Sequence, residues 1–235
     1  LVAQVGELAA PPVADCVAAF TAFAERVSIV DGSQVGRLLA AGPVVFEGAQ
    51  GVLLDEWHGF HPYTTWSTTT FANAEKLLAE AGYAGRAARL GVLRTFTTRH
   101  GPGPLVTEDP SLPLSDPHNP ANPWQGRFRV GHFDAVAHRY AVAVAGGVDG
   151  LALTHLDVAD RGVRICRRYD WTDTLLPGPA GDLARQEALT RRLLASRPVY
   201  DPPPASWIAA VEAELGAPVW VASYGPTAAD KTDRG

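Results

Sequence analysis

The strongest constraint on this chain is the spacing of its apolar runs. Short β-branched segments at residues 43–46, 90–96, 151–156, 163–169 and 218–222 alternate with stretches whose apolar residues recur at helical spacing, over 13–27, 33–41, 67–82, 133–144, 182–195 and 204–215. Strands joined through helices of this length are parallel, because a crossover returns the chain to the same end of the sheet. The expected fold is therefore α/β, a mainly parallel open sheet flanked by helices. Residues 98–125, with their repeated prolines, are expected to be irregular.

Composition narrows the function. A chain of 235 residues with 46% hydrophobic and 19% charged residues is an ordinary globular protein, one large domain or two small ones. Its net charge of −5 argues against a nucleic-acid surface. The two cysteines, Cys16 and Cys166, have no metal-ligand spacing and read as reduced, largely buried thiols of a cytoplasmic protein. No apolar run reaches the ~18 residues of a membrane span, and no signal-peptide pattern opens the chain. The sequence begins with Leu1 and contains no methionine, which implies a portion of a longer polypeptide.

Residues 44–70, VVFEGAQGVLLDEWHGFHPYTTWSTTT, carry the densest chemistry. A buried strand over 43–46 is expected to feed Glu47-Gly48-Ala49-Gln50-Gly51, whose glycines leave room beside a flat ligand. A helix is expected to start at Ser67, whose hydroxyl would cap it. Together these parts have the form of a ligand crevice in an open α/β sheet. Three more polar stretches follow: residues 98–104 with Thr107-Glu108, residues 124–131, and Thr154-His155-Leu156-Asp157. In a parallel sheet all four gather beyond the strands' carboxyl ends. Arg99 reads as a phosphate ligand or, preferably, as a brace paired with Glu108. Arg127 and Arg129 carry planar forks suited to carboxylates. Asp157 places a carboxylate acceptor just beyond a strand's end.

Phe46-Glu47-Gly48-Ala49-Gln50-Gly51, Leu53-Leu54-Asp55, His58-Gly59, Pro62-Tyr63 and Thr69-Thr70 resemble the central block of adenylosuccinate synthetases. The remaining matches follow in the family's order: Thr98-Arg99-x-Gly101-x-Gly103-Pro104, Gly126-Arg127, Thr154-x-Leu156-Asp157 and Ser223-x-Gly225-Pro226. The resemblance covers roughly residues 44–226. It implies a P-loop-NTPase-like synthetase fold lacking its N-terminal half, with 1–42 a helical scaffold segment and 43–235 the nucleotide- and amino-acid-binding part. It also implies GTP-dependent joining of aspartate, or an analogue, to the 6-position of inosine monophosphate, with GTP as co-substrate, magnesium as the ion, and a homodimer. By position, Gln50, Thr65 and Arg127 would hold inosine monophosphate. Trp124, Gln125, Gly126, Arg127 and Arg129 would form the amino-acid loop. Arg129, His155, Leu156, Asp157, Ser223, Tyr224 and Gly225 would bind GTP.

The departures are informative. Trp124 and Gln125 stand where the family has paired threonines, His100 replaces an apolar residue, and His155 replaces a lysine whose stem lies along the base. If Trp124 and Gln125 face the pocket, it is poorer in hydroxyls and aspartate is not the best amine donor. The alternative turns Trp124 outward onto the proline stretch. Asp55 and His58 read as structural groups. The family's aspartate base, histidine acid, Gly-Asp-Glu-Gly-Lys-Gly phosphate loop and magnesium ligands belong to its N-terminal half, so neither catalytic residues nor metal ligands are expected here. Two rival readings stand beside the ligase: a paralogue with another acceptor or amine donor, and a nucleotide-binding module without catalysis. The residues upstream of Leu1 separate them.

Overall fold

A computed structural model describes residues 11–114 and 119–235. These fall into two compact units: the described residues through Val45 with Lys76–Ala84, and Phe46–Glu75 with Gly85–Gly235. In the first unit lie α1 (Val13–Ala24) and α2 (Ser33–Ala41), where the helical spacing places them. Gly42 stops α2, and the Asp31 carboxylate accepts from the backbone N–H of Ser33 at its start (3.0 Å). The apolar stripe of α1 buries nothing: Val13, Val17, Phe20 and Phe23 are 59–79% exposed.

Two local expectations fail. Residues 43–46 form no strand; no described residue pairs with them, and Val45 is 90% exposed. A strand exists only where a neighbour satisfies its backbone. The helix expected at Ser67 begins five residues later, as α3 (Ala72–Glu80). The cause is a competing interaction: the buried Asp55 carboxylate takes the N–H of Thr69 (2.8 Å), and the Thr69 hydroxyl donates to the Gly51 carbonyl (3.1 Å). Pinned at both points, residues 67–70 stay out of the helix.

The second unit contains the sheet. Strands β1 (Leu90–Arg94), β2 (Thr97–His100), β3 (Phe128–Gly131) and β4 (Phe133–Asp134) lead into α4 (Ala135–Val144) and β5 (Gly150–Thr154). Then come β6 (Ile165–Tyr169), α5 (Leu183–Leu194), β7 (Pro198–Asp201), α6 (Trp207–Leu215), β8 (Val219–Ser223) and β9 (Lys231–Asp233). β1, β5 and β8 pair in parallel, as the crossover argument requires, and β9 closes the sheet antiparallel to β8. A second group pairs β4 with β6 in parallel and β6 with β7 antiparallel. The stretch expected to be irregular, 98–125, opens inside a strand, β2, which pairs antiparallel with β3 just beyond its end. The strands of this ribbon are only four residues each; β2 has no apolar residue, and β3 shows just one alternation, Phe128 and Val130 either side of Arg129.

Two cores flank α4. Ala135 packs with Phe133, Leu153, Ile165, Val211 and Val219, whereas Val136 and Tyr140 pack with Phe60, Tyr169, Leu175 and Leu193. A helix buried on two sides must be short in polar residues, and Ala-Val-Ala at its start provides that. Cys166 is fully buried in the second core, which pushes its thiol up to about 12; Cys16 is only half-buried, and both are free.

Asp134 caps α4, accepting from the Ala137 N–H (3.0 Å) and from the Tyr169 hydroxyl (3.0 and 2.9 Å), while its own N–H donates to the Thr97 hydroxyl (3.0 Å). Burial pushes its carboxyl up to about 6, above the ~3.9 of an unfolded chain. Between those values the folded form keeps a proton that the unfolded form has lost, so stability falls as pH rises, by up to ~3 kcal/mol. Asp134→Asn keeps the cap and removes this dependence. Urea unfolding at pH 4.5 and 6.5 should show that loss for the parent protein and a flatter profile for the variant.

Candidate functional site

The first segment is a loop folded around one carboxylate. Asp55, 1% exposed, accepts from the backbone N–H of Trp57 (2.9 Å), His58 (3.1 Å) and Thr69 (2.8 Å). Gly59 is obligatory, because a Cβ there would lie 2.5 Å from the Asp55 carbonyl oxygen. Asp55 therefore builds the loop, and so does His58, whose carbonyl accepts from the Tyr140 hydroxyl (2.7 Å). On this frame Gln50 sits in the left-handed region (φ 68°), and its side-chain oxygen accepts from the Ser67 hydroxyl at 3.4 Å. Ser67 is 3.3 Å from the Thr65 hydroxyl, so Gln50 and Thr65 share a neighbour.

Arg99 ties this loop to the next segment. It is 8% exposed, with Nε donating to the Pro102 carbonyl (2.9 Å) and Nη2 to the Tyr63 carbonyl (2.7 Å). Burial, with the Arg129 charge beside it, lowers its guanidinium to about 10. The brace reading is right, but the partners are carbonyls. Glu108 instead serves the third segment, and the hydrogen bond from Arg129 holds its carboxyl below the usual range.

The two arginines of that segment have different fates. Arg129 donates from Nε (3.0 Å) and Nη2 to Glu108, and from Nη1 to the carbonyls of Gly101 (3.0 Å) and Gly103 (2.8 Å). Arg127 is 72% exposed and touches Glu108 only at 3.5 Å. Gly126 lies between them and Gln125 at a positive φ of 77°. Trp124 is 89% exposed, turned outward, while the Gln125 side chain accepts from Asn122 (3.3 Å). The Gln125 carbonyl also presses on Gly101, where a Cβ would come within 2.4 Å at φ 68°. His100 stands edge-on to Phe128, ring centroids 5.2 Å apart, its Nε2 buried without a hydrogen-bond partner among the described residues. Beside this ribbon lies a cavity of about 300 Å³, lined by residues of the 108–114 and 119–130 segments. Sequence reading missed its apolar wall. The i, i+2 spacing of Phe128 and Val130 would have revealed one strand face.

The fourth segment follows β5. His155 turns the chain through the left-handed region (φ 60°) into a 3₁₀ turn, Leu156–Val158, with Leu156 packed on the core. Its ring lies edge-on to Phe96 (5.2 Å between centroids), and its carbonyl accepts from the Thr95 hydroxyl (2.9 Å). The Asp157 side chain is exposed, and no described residue bonds it. Ser223-Tyr224-Gly225 leaves β8, the parallel neighbour of β5. Ser223 donates to the Gly225 carbonyl (3.2 Å), Lys231 clamps the same carbonyl (2.5 Å), and Tyr224 is half-exposed.

Among the described residues only this pair of segments directly follows strands of the parallel sheet; the 98–104 segment leaves β2 of the antiparallel ribbon instead. The first follows no strand, and the arginine segment enters the amino end of β3, because an antiparallel ribbon reverses the chain. Direct bonds join Gln50 to Ser67 and Arg127 to Glu108; none joins Gln50 or Thr65 to Arg127 among the described residues. No three His, Cys, Asp or Glu side chains gather among those residues.

The adenylosuccinate synthetase family model matches residues 4–232, and the chain belongs to that family. Among its relatives, adenylosuccinate synthetases of Thermosynechococcus vestitus and a Synechocystis strain are 39% and 35% identical, over 64% and 75% of this chain and 36% and 42% of their own. One from a Geobacter strain is 31% identical over 81% of this chain and 48% of its own. The chain thus spans roughly a third to a half of these relatives. The fold resembles that of the fully ligated adenylosuccinate synthetase of Plasmodium falciparum (TM-score 0.65, 22% identity, 88% of this chain and 54% of that one). It also resembles the cyanophage S-2L succinoaminodeoxyadenylate synthetase bound to dGMP and dATP (TM-score 0.53, 20% identity, 87% and 50%).

Replacing Arg99 with lysine keeps a charge but cannot reach two carbonyls at once. Arg99→Lys should lower unfolding free energy by about 1–3 kcal/mol, the scale of a buried hydrogen bond lost. Urea denaturation checks this.

Proposed function

We propose that this chain is the substrate-holding part of a GTP-dependent carbon–nitrogen ligase acting in purine metabolism. The observation that carries the reading is the pairing of the fourth segment with Ser223-Tyr224-Gly225. Sixty-odd residues apart in sequence, they leave adjacent parallel strands side by side, with the Asp157 carboxylate open to a base edge. Asp157 would accept the two guanine donors, while Leu156, Ser223 and Gly225 shape the pocket by backbone and Tyr224 and His155 border it. Gln50 and Thr65 would hold inosine monophosphate, with Arg127 reaching its phosphate or the amino acid. Arg129 positions this loop, since its donors are committed to Glu108 and two carbonyls.

In the reaction, GTP phosphorylates the purine O6. The amine lone pair then forms the C6–N bond as the C6–O bond breaks, phosphate leaves with those electrons, and the nitrogen loses a proton. Magnesium and the acid–base groups would come from outside the described residues. A homodimer, a cytoplasmic location, and a division into a scaffold over 1–42 and a binding part over 43–235 belong to the same reading. No described helix is long and apolar enough to cross a membrane.

A second reading, a paralogue with another acceptor, is favoured by one observation: the same fold occurs in a phage enzyme described as bound to dGMP. For the base pocket, Asp157→Asn should weaken GTP binding by about 1.5–3 kcal/mol, the value of a charge-assisted hydrogen bond, and xanthosine triphosphate should regain part of it. Calorimetric titration of the full-length protein measures both; equal affinity for ATP and GTP would sink the assignment. Arg127→Lys should depress turnover while leaving the melting temperature within a degree or so, because an exposed arginine contributes little to stability.

A further inference from the structure

Glu108 grips Arg129, so whatever holds Glu108 sets the arginine segment. The residues on both sides of it are fastened to one histidine. His132, 2% exposed, donates its backbone N–H to the Thr107 carbonyl (3.0 Å), and its own carbonyl accepts from the Thr107 hydroxyl (2.9 Å). On the other side, its ring Nε2 lies 3.1 Å from the Asp109 carboxylate. The Asp109 N–H donates to the Val130 carbonyl (3.0 Å), so residues 107–109 run antiparallel beside 130–132. The approach is close: a Cβ on Gly131 would lie 2.4 Å from the Thr107 carbonyl oxygen. Glu108, between these ties, is aimed at Arg129 (3.0 Å to Nε) and meets Arg127 at 3.5 Å.

One protonation state of the ring fits this role. Nδ1 accepts the backbone N–H of Arg164 (3.0 Å) and so carries no proton, which leaves the hydrogen on Nε2, facing Asp109. The other neutral tautomer would set an N–H against the Arg164 N–H and a lone pair against the carboxylate. The charged form needs a second proton on Nδ1, at the same blocked place, and puts its charge 2.9 Å from the Arg164 guanidinium. That guanidinium is held by the face of Tyr200 (3.9 Å) and by Asp109 (4.0 Å). The groups facing the ring are thus Asp109 from the loop, Arg164 just before β6, and Tyr200 of β7, edge-on at 4.6 Å. Burial and the Arg164 charge outweigh the attraction of Asp109 and hold the imidazole below the usual histidine range.

We propose that His132 is a positioning residue for the arginine segment. In its neutral Nε2–H form it holds Thr107 and Asp109 about Glu108, and acid that protonates it releases Glu108, Arg129 and with them Arg127. The effect on turnover rests on the ligase reading; the latch itself does not. The only covalent change is a proton taken from solvent at Nδ1. The segments at Asp157 and Ser223 follow β5 and β8 and contain no residue of the latch, so GTP recognition should survive its release.

The test uses the full-length protein. Imidazole nitrogen shifts, assigned with His132→Gln, should show the Nε2–H tautomer at neutral pH and no second proton until the pH is below ~6.5. The Nδ1–H tautomer, or titration at or above that ordinary value, overturns the proposal whatever the protein catalyses. His132→Ala should raise KM for inosine monophosphate or for the amino acid about tenfold, the scale of a misplaced binding group, and leave KM for GTP unchanged. Asp109→Ala, at a side chain 26% exposed, severs the same hold and gives the same readout if His132→Ala does not fold. His132→Gln, whose amide can accept from Arg164 and donate to Asp109 but takes no proton, should recover most of the loss. Below pH ~6.5 the parent's kcat/KM should fall along an acid limb that this variant lacks. Parental KM values in the alanine variants, a rise in all three KM values, or the same acid limb in His132→Gln overturns the positioning role. If nothing is joined although GTP binds in preference to ATP, the ligase reading fails, and the tautomer and its titration still decide the latch.

Discussion

The structure of the larger unit depends on one buried carboxylate. Asp134 caps α4, receives the hydroxyl of Tyr169 from β6, and donates its own N–H to Thr97 at the start of β2. Four elements from distant parts of the sequence meet at this residue, between two hydrophobic cores that share α4. Arg99 is two residues beyond Thr97 and Gly101 four, so the position of the arginine ribbon is set from the interior. A buried polar group with every partner present specifies one arrangement, because any alternative leaves a charge or hydroxyl unpaired.

The division of labour between Arg127 and Arg129 follows from this. Both belong to one short segment, and chemistry alone does not separate them. What separates them is Glu108, brought by the loop after Pro104 and gripped by Arg129. The first guanidinium is left outside. Two identical side chains thus differ in what they can still bond: Arg129 has four donors committed, and Arg127 keeps one long contact.

Much of the fold was legible in the sequence. The helices over 13–24, 33–41, 183–194 and 207–215 and the strands at 90, 151 and 219 lie close to where periodicity places them, because burial fixes both periodicity and element. Legibility ended where pairing, not pattern, makes the element. β2, β7 and β9 carry no clear apolar alternation of their own and β3 only one repeat of it, and residues 43–46 have the composition of a strand without a neighbour. The site divided in the same way. Motifs singled out Gln50, Asp157 and the arginines as candidates by identity and order along the chain. They did not reveal that Glu108 serves Arg129, nor that Phe128 and Val130 wall a cavity, because these are facts of contact between segments.

The Asp55 loop has a further consequence. Three backbone amides converge on a carboxylate that solvent barely reaches, and a fourth tie runs from Thr69 back to Gly51. The ground around Gln50 and Thr65 is thus rigid before anything arrives. A ligand settling there would owe no entropy for ordering backbone, only the ~0.5–1.5 kcal/mol of each side chain it immobilises. The same chain therefore holds two kinds of polar residue: Gln50 and Thr65 on backbone tied down at several points, and Arg127 on a side chain that reaches into solvent with one long contact.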